Sequence, residues 1–367
     1  MDELEKLRAA LSELDVKLLE LVAQRQQIVA SIGRVKSAAG RGTRDYAREK
    51  EVLQLARRTA ARVGLDEAVG ADIFRLLILA SLAAQEQDKV ATFGIGSGKR
   101  ALVIGGAGQM GQWFVRFLAS QGYQVEVCDP AGGVTDYASY TELGQTGLDQ
   151  DLIVVTAPIA ETAKILSQLA RRRPQGLIFD ICSLKGPLLE ALSELKSAGC
   201  QVASVHPMFG PDTELLSGRN LVLVDLGVAA ATEAVRALFD STMVDQVSMS
   251  LEEHDKAMAY VLGLSHAISI AFFKALLDSG EDAITLAKLS SPTFDAQLDV
   301  ASRVSRENPY LYFEVQSLNS HSPRALVALL NAVTQVAARV LDKDESGFVE
   351  LMEQGKTFLA GRPRNRP

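Results

Sequence analysis

The chain has 367 residues, 47% of them apolar and 23% charged, a foldable globular composition too long for one ordinary core. A net charge of −7 without a long basic run excludes nucleic acid as the main partner, because phosphate backbones need clustered positive surface. Cys128, Cys182 and Cys200 form no CxxC pair and no disulfide framework, which fits a reducing cytoplasm, and the four histidines show no metal spacing.

Residues 1–90 are expected to be helical throughout. Leu4, Leu7, Leu11, Leu14, Leu18, Leu21, Arg25, Ile28, Ile32 and Val35 alternate by three and four, a heptad seam that wants a second helix. The charged, periodic N-terminus is no signal peptide. A turn at "SAAGRGT" precedes a second helix with Asp45 as its N-cap, and a third helix covers 66–87. Residues 91–99 form a Gly/Ser-containing linker. From 100 to 246 the runs "ALVIG", "QVEVC", "LIVVT", "LIFDI", "QVASV" and "LVLV" alternate with helical stretches, the pattern of a parallel sheet with helical crossovers. Residues 247–360 return to long helices, and 361–367, "GRPRNRP", is expected to be a disordered tail. The most apolar run, 257–273, carries His266 and two serines and is short for a membrane span. It reads as a helix buried between domains or subunits, with no membrane partner.

Arg25 interrupts an aliphatic seam. A buried guanidinium needs an anion, or it serves to fix register. Arg8 and Lys36 lie on a neighbouring stripe, "RDYAREKE" adds Asp45, Arg48 and Glu49, and Ser81 and Gln85 share one face of the third helix. Arg8 and Arg25 are about 25 Å apart along a straight helix, so one small ligand touches both only if Arg8 comes from a second copy. Residues 4–87 resemble the all-helical chorismate mutase family in "LRAALSELDVKLLELVAQR", "GRVK", "RDYAREKE" and "SLAAQ". The resemblance implies that Arg8 of a second copy, Arg25, Lys36 and Arg48 hold the carboxylates and ether oxygen of chorismate. Glu49 would receive its hydroxyl, and Asp45, Ser81 and Gln85 would complete the pocket. Rearrangement to prephenate needs a compact bound conformer and positive charge at the ether oxygen, with no covalent catalyst.

Gly106, Gly108 and Gly111 form G-x-G-x-x-G between a strand and a helix, with Gln109 and Met110 inside the motif. Asp129 ends the second strand; a carboxylate there accepts from a ribose 2′-hydroxyl and repels a 2′-phosphate, which favours NAD. Ligands of such sheets sit beyond the carboxyl ends of the strands, which singles out Thr156, Lys185 and His206. Thr156 reads equally as a turn cap and Lys185 as a solvated loop lysine. Pro207 restricts His206 to extended backbone.

Residues 100–340 resemble prephenate dehydrogenases in "GGAGQMG", "APIAET", "SLKGP", "HPMFGPD", "EEHDKAMAYVLGLSHA", "LSSPTF" and "ASRVSRENPYLY". With the mutase-like segment in front, the chain resembles the bifunctional chorismate mutase/prephenate dehydrogenases. That implies a multidomain α and α/β chain: an all-helical mutase domain, a Rossmann-type NAD-binding domain and a C-terminal all-helical dimerisation domain. It also implies a cytoplasmic homodimer of tyrosine biosynthesis, in which prephenate is oxidatively decarboxylated with NAD to 4-hydroxyphenylpyruvate, and for which tyrosine is a candidate inhibitor. By the resemblance His206 takes the proton of the C4 hydroxyl, Thr156 orients it, and Arg303 pairs with a substrate carboxylate. Lys185 and His266 stand near the substrate, though His266 reads equally as a core histidine. His254 in "EEHD" reads as a surface or helix-start residue. Asp295 stands where enteric relatives carry an arginine. The alternatives are a preference for arogenate, or a tyrosine-sensing dimer with vestigial NAD binding.

Overall fold

The computed structural model of the chain describes residues 2–361, so the expected tail beyond Gly361 lies outside the described residues. Three helices come first: α1 (Glu3–Ala38), α2 (Tyr46–Arg62) and α3 (Glu67–Thr92). The Asp45 carboxylate caps α2 by accepting from the Arg48 backbone N–H, and Asp66 caps α3 through Ala68 and Val69. α3 runs five residues past its expected end because buried Val90 continues its apolar face into the core of the next domain. Residues 93–99 are no loose tether. A Cβ on Gly96 would lie 2.2 Å from the Tyr123 ring, so only glycine allows this approach.

α1 buries none of its residues within the chain. Leu7 and Leu14 are each 61% exposed, and Leu4, Leu11, Leu18 and Leu21 are exposed with them. The aliphatic positions of the seam predicted from the heptads are therefore bare in one chain.

Eight strands form one sheet in the order β3-β2-β1-β4-β5-β6-β7-β8. They are β1 (Arg100–Ile104), β2 (Gln124–Cys128), β3 (Ala138–Tyr140), β4 (Leu152–Val155), β5 (Leu177–Asp180), β6 (Val202–Pro207), β7 (Asn220–Asp225) and β8 (Asp245–Ser250). Four helices cover it: α4 (Gln109–Ser120), α5 (Ile159–Arg172), α6 (Leu189–Ser197) and α7 (Ala229–Phe239). The sheet is not wholly parallel, as the alternation had suggested. β6 and β7 are antiparallel, because the chain returns through the irregular loop 208–219 with no helical crossover. β3 and β8 carry no apolar run to betray them; they are the two edge strands, and β8 ends at Ser250.

The rest is helical: α8 (Leu251–Met258), a π-helical segment (Ala259–Leu264), α9 (Ser265–Ser279), α10 (Ala283–Lys288), α11 (Pro292–Arg306), α12 (Pro309–Ser317), α13 (Ser322–Leu341) and α14 (Glu345–Ala360). Residues 251–279 make one continuous helix. This helix, which contains the apolar run 257–273, and α13 are long and apolar enough to cross a membrane by length and composition alone. That run is also not buried inside one chain: Tyr260, Val261 and Ile268 are exposed. α8 packs on the sheet domain through buried His254 and Asp255, and α13 packs on the π-helical segment.

Besides Val90, two side chains of the first domain, Glu86 and Arg44, make polar contacts with the second. Glu86 of α3 is buried and accepts from the backbone N–H of Leu216 (2.7 Å) and of Met243. Burial pushes its carboxyl up, and the two N–H groups pull it partly back. Arg44, in the turn between α1 and α2, donates to Ser217 Oγ at 2.8 Å. Glu86→Ala strands two N–H groups at this junction. It is expected to lower the unfolding free energy by about 1–3 kcal/mol, measured by urea unfolding at fixed protein concentration with the single tryptophan, Trp113, as probe.

Candidate active sites

A cavity of about 360 Å³ lies between the C-terminal half of α1 and the C-terminal half of α3, lined in part by Gln26, Lys36, Ser81, Gln85, Asp88 and Lys89. At its edge Arg25 donates to Ser81 Oγ at 2.8 Å and to the Leu77 carbonyl at 3.2 Å. Burial lowers the Arg25 pKa, but a guanidinium keeps its charge in a protein. Lys36 Nζ donates to the Thr43 carbonyl at 3.1 Å. The Gln85 side-chain oxygen is buried with no hydrogen-bond partner, so a polar ligand in this cavity would find an amide waiting.

One chain thus brings together Arg25, Lys36, Ser81 and Gln85, and leaves the other predicted pocket residues elsewhere. Glu49 is held at two points by Arg44 (3.0 and 3.1 Å), a cation that sequence reasoning missed. Arg48 is exposed and paired with Glu51 at 2.8 Å, and Asp45 is spent on the α2 cap. Arg8 sits on the exposed first half of the same straight helix as Arg25, about 25 Å away.

The glycine turn follows β1. Gly105 has a φ of +85°, and a Cβ on Gly111 would lie 2.2 Å from the Gly105 carbonyl oxygen, so α4 can approach the turn only with glycine there. Gly106 packs against Val127 in the same way, at 2.7 Å. Gly108 is the N-cap of α4, and Gln109, Met110 and Gly111 form its first turn, whose N–H groups face out along the helix axis. The Asp129 carboxylate accepts from Ala107 N at 3.0 Å and Ala131 N at 2.9 Å, which fixes the rim. A glycine-walled turn at a helix N-terminus with an acidic residue on its rim fits a dinucleotide. Thr156 sits beside it: a Cβ on Gly105 would be 3.0 Å from its hydroxyl.

His206 stands near the carboxyl end of β6, 5% exposed. Its Nδ1 lies 2.9 Å from His254 Nε2, and His254 Nδ1 lies 2.8 Å from Asp255 Oδ1. Asp255 also accepts from Lys185 N (2.9 Å) and Gly186 N (2.6 Å). Burial, then His254, then the Lys185 ammonium hold the His206 pKa well below the ordinary imidazole value, so the ring is uncharged at neutral pH.

Several expectations change here. His254 does start a helix, but it is fully buried rather than on the surface, because it bridges His206 and Asp255. The Thr156 hydroxyl donates to the Ile104 carbonyl at 2.9 Å, and the His206 ring is held by His254. Lys185 is no substrate contact in this arrangement. It is fully buried, with Nζ on Asp180 Oδ1 at 2.6 Å and on the Val205 carbonyl at 2.7 Å. His266 stacks on Tyr312 with ring centroids 4.1 Å apart; its Nδ1 is buried without a partner, and burial lowers its pKa. Arg303 ends α11 exposed to solvent. Asp295 lies in the first turn of α11, where a carboxylate suits the helix dipole, and it accepts from Ser290. Cys182 is buried and its thiol is pushed up to about 12, so it is inert as a nucleophile. His254 and Asp255 were legible only as a dipeptide at the start of a helix, since nothing local ties them to a histidine 48 residues earlier.

Comparison with known proteins covers all three parts. Residues 7–86 match the chorismate mutase type II family, 131–245 the prephenate dehydrogenase nucleotide-binding domain, and 250–354 the prephenate dehydrogenase dimerization domain. A T-protein of Enterobacter agglomerans is 28% identical over 89% of this chain and 84% of its own length. A chorismate mutase of Methanocaldococcus jannaschii is 30% identical over 24% of this chain and 88% of its own length. A probable arogenate/prephenate dehydrogenase of the same organism is 27% identical over 69% of this chain, which spans 59% of that relative. The fold of prephenate dehydrogenase from Aquifex aeolicus, solved with hydroxyphenyl propionate and NAD+, covers 71% of this chain and 97% of its own at a TM-score of 0.56 and 18% identity.

The buried Lys185–Asp180 pair gives a direct prediction. Lys185→Met leaves the Asp180 carboxylate unpaired and is expected to cost about 3–5 kcal/mol of stability. Adding Asp180→Asn recovers much of that loss, as read by urea unfolding of the single and double variants.

Proposed function

We propose, because this chain belongs to the bifunctional chorismate mutase/prephenate dehydrogenase family, that it rearranges chorismate to prephenate among its N-terminal helices and oxidises prephenate on its sheet domain. The observation that carries the second half is His206: an uncharged imidazole, held by a buried hydrogen-bond chain, near the carboxyl edge of the sheet that bears the glycine turn.

In the mutase pocket Arg25, Lys36 and Gln85 supply positive charge and an amide donor for the carboxylates and ether oxygen of chorismate. Ser81 holds Arg25 in place. Substrate binding has to draw Glu49 from Arg44 and Arg48 from Glu51 for either to reach the ligand. Arg8 joins the pocket from a second copy of the chain. The active unit is then a homodimer, and the exposed seam of α1 and the exposed Leu330, Val333 and Val340 of α13 support that assembly.

In the dehydrogenase site Gly106, Gly108, Gln109, Met110 and Gly111 would hold the pyrophosphate of NAD, and Asp129 would accept from its ribose hydroxyls. Bound NAD supplies the acceptor for the hydride leaving C4 of prephenate. His206 takes the C4 hydroxyl proton, and Thr156 lines the path beside the glycine turn. Arg303 and His266, from the C-terminal helices, pair with the carboxylates of prephenate. Loss of carbon dioxide restores aromaticity and gives 4-hydroxyphenylpyruvate.

Chorismate alone is expected to disappear without NAD, and NADH to form once NAD is added. Arg25→Ala should lower mutase turnover by about 10²-fold or more while NADH formation from supplied prephenate stays within about threefold. His206→Asn should do the reverse, losing about 10²–10⁴-fold in NADH formation. Near-normal NADH formation by His206→Asn would rule out its role as the proton acceptor.

A further inference from the structure

We propose that His254, held by Asp255, is a positioning residue for proton abstraction: it fixes His206 as the Nδ1–H tautomer and leaves Nε2 bare to take the substrate proton. The proposal rests on the dehydrogenase reading of this site and adds residues to it.

The chain of donors and acceptors runs in one direction. Asp255 Oδ1 meets the N–H of Lys185 and the ring of His254, and Oδ2 meets the N–H of Gly186. Burial alone would push this carboxyl up; His254 and the two amides outweigh it and leave the pKa lowered, so Asp255 is a carboxylate at neutral pH. A carboxylate only accepts, so the proton between the two groups sits on His254 Nδ1. A neutral ring with a proton on Nδ1 has a bare Nε2, which can only accept. The contact at 2.9 Å then requires His206 Nδ1 to donate. His206 therefore keeps Nε2 without a proton.

The surroundings point the same way. His206 meets His254 of α8, which has Asp255 behind it; the Lys185 ammonium, paired with Asp180, acts on the ring electrostatically, and Val222 of β7 is its cross-strand partner. Lys185 anchors the Val205 carbonyl, one residue before His206, so the ring's backbone is fixed as well as its outer edge. The Thr156 hydroxyl donates to the Ile104 carbonyl, and the ring of His206 meets His254 through Nδ1. When Nε2 takes the hydroxyl proton, the substrate loses one proton and His206 gains one. The new imidazolium still donates through Nδ1 to His254, with the Asp255 charge behind it. This is the logic by which a carboxylate orients a catalytic histidine, extended by one ring.

Asp255 also holds the loop at 185 and 186, so its substitution mixes folding with chemistry. The test falls on His254, with chorismate turnover in the same preparation as the measure of folded protein. His254→Leu is expected to lower kcat for prephenate oxidation at least about tenfold with KM for prephenate and NAD each within about threefold. His254→Gln, which keeps an acceptor oxygen near the position of Nε2, is expected to recover most of that loss. Histidine ¹⁵N spectra of the full-length protein, with the His206 signal assigned by its absence in His206→Asn, should show a protonated Nδ1 and a bare Nε2 in the wild type. A His254→Leu enzyme within twofold of wild type, a His254→Gln enzyme as impaired as His254→Leu, or an Nε2–H tautomer would each overturn the proposal. A wild type that makes no NADH from prephenate sinks the dehydrogenase reading, and the tautomer spectrum still decides the hydrogen-bond chain.

Discussion

The Asp255 carboxylate binds three things at once: the N–H groups of Lys185 and Gly186 in the loop after β5, and the ring of His254 on its own helix. Asn319, ahead of α13, donates to the Asp255 carbonyl at 2.8 Å and adds a fourth tie from the distal helices. Through these bonds the C-terminal helices are clamped to the sheet at the edge where His206 lies. Lys185 completes the clamp from below. Its buried ammonium joins Asp180 to the Val205 carbonyl and locks β5, its loop and β6 together. A buried ion pair of this kind adds little net stability compared with apolar residues, yet removing one partner is costly. Its use here is placement: it holds an uncharged imidazole near the carboxyl end of β6, against α8 of the C-terminal helices.

The first domain follows a different constraint. The six seam leucines of α1 face solvent in one chain, and each is worth about 1.5–3 kcal/mol when covered. The same helix carries Arg25 in the pocket and Arg8 far outside it, so one geometric fact explains both the bare seam and the incomplete cation set. The pairing of Glu49 with Arg44, and of Arg44 with Ser217, ties the mutase helices to the loop that follows His206. Glu86 grips the same loop through Leu216. The two domains therefore share a boundary built from buried and half-buried hydrogen bonds.

Much of this was legible in the residues because the signals were local. The heptad seam, the Asp45 cap, six apolar runs and the glycine turn each depend on neighbours within a few positions. The antiparallel return of β7 was not legible, since an irregular loop and a crossover differ only in whether a helix forms. β8 was hidden because an exposed edge strand needs no apolar alternation. In the sites, Arg25, Ser81 and Gln85 converge as their shared helix faces imply, and His206 sits near a strand end as the sheet pattern implies. Lys185, Arg44 and His254 escaped for a common reason: their roles are set by partners far along the chain, Val205, Ser217 and His206, which no spacing rule reaches.

The central claim is that the buried His206–His254–Asp255 chain presents one bare ring nitrogen to the reacting hydroxyl. A crystal structure of the full-length enzyme with NAD and a prephenate analogue that keeps the C4 hydroxyl tests it most directly. The account predicts that hydroxyl within hydrogen-bond distance of His206 Nε2, with the His254 contact to Nδ1 intact. A hydroxyl bound instead to Thr156 or His266, with His206 turned away from it, would contradict the account.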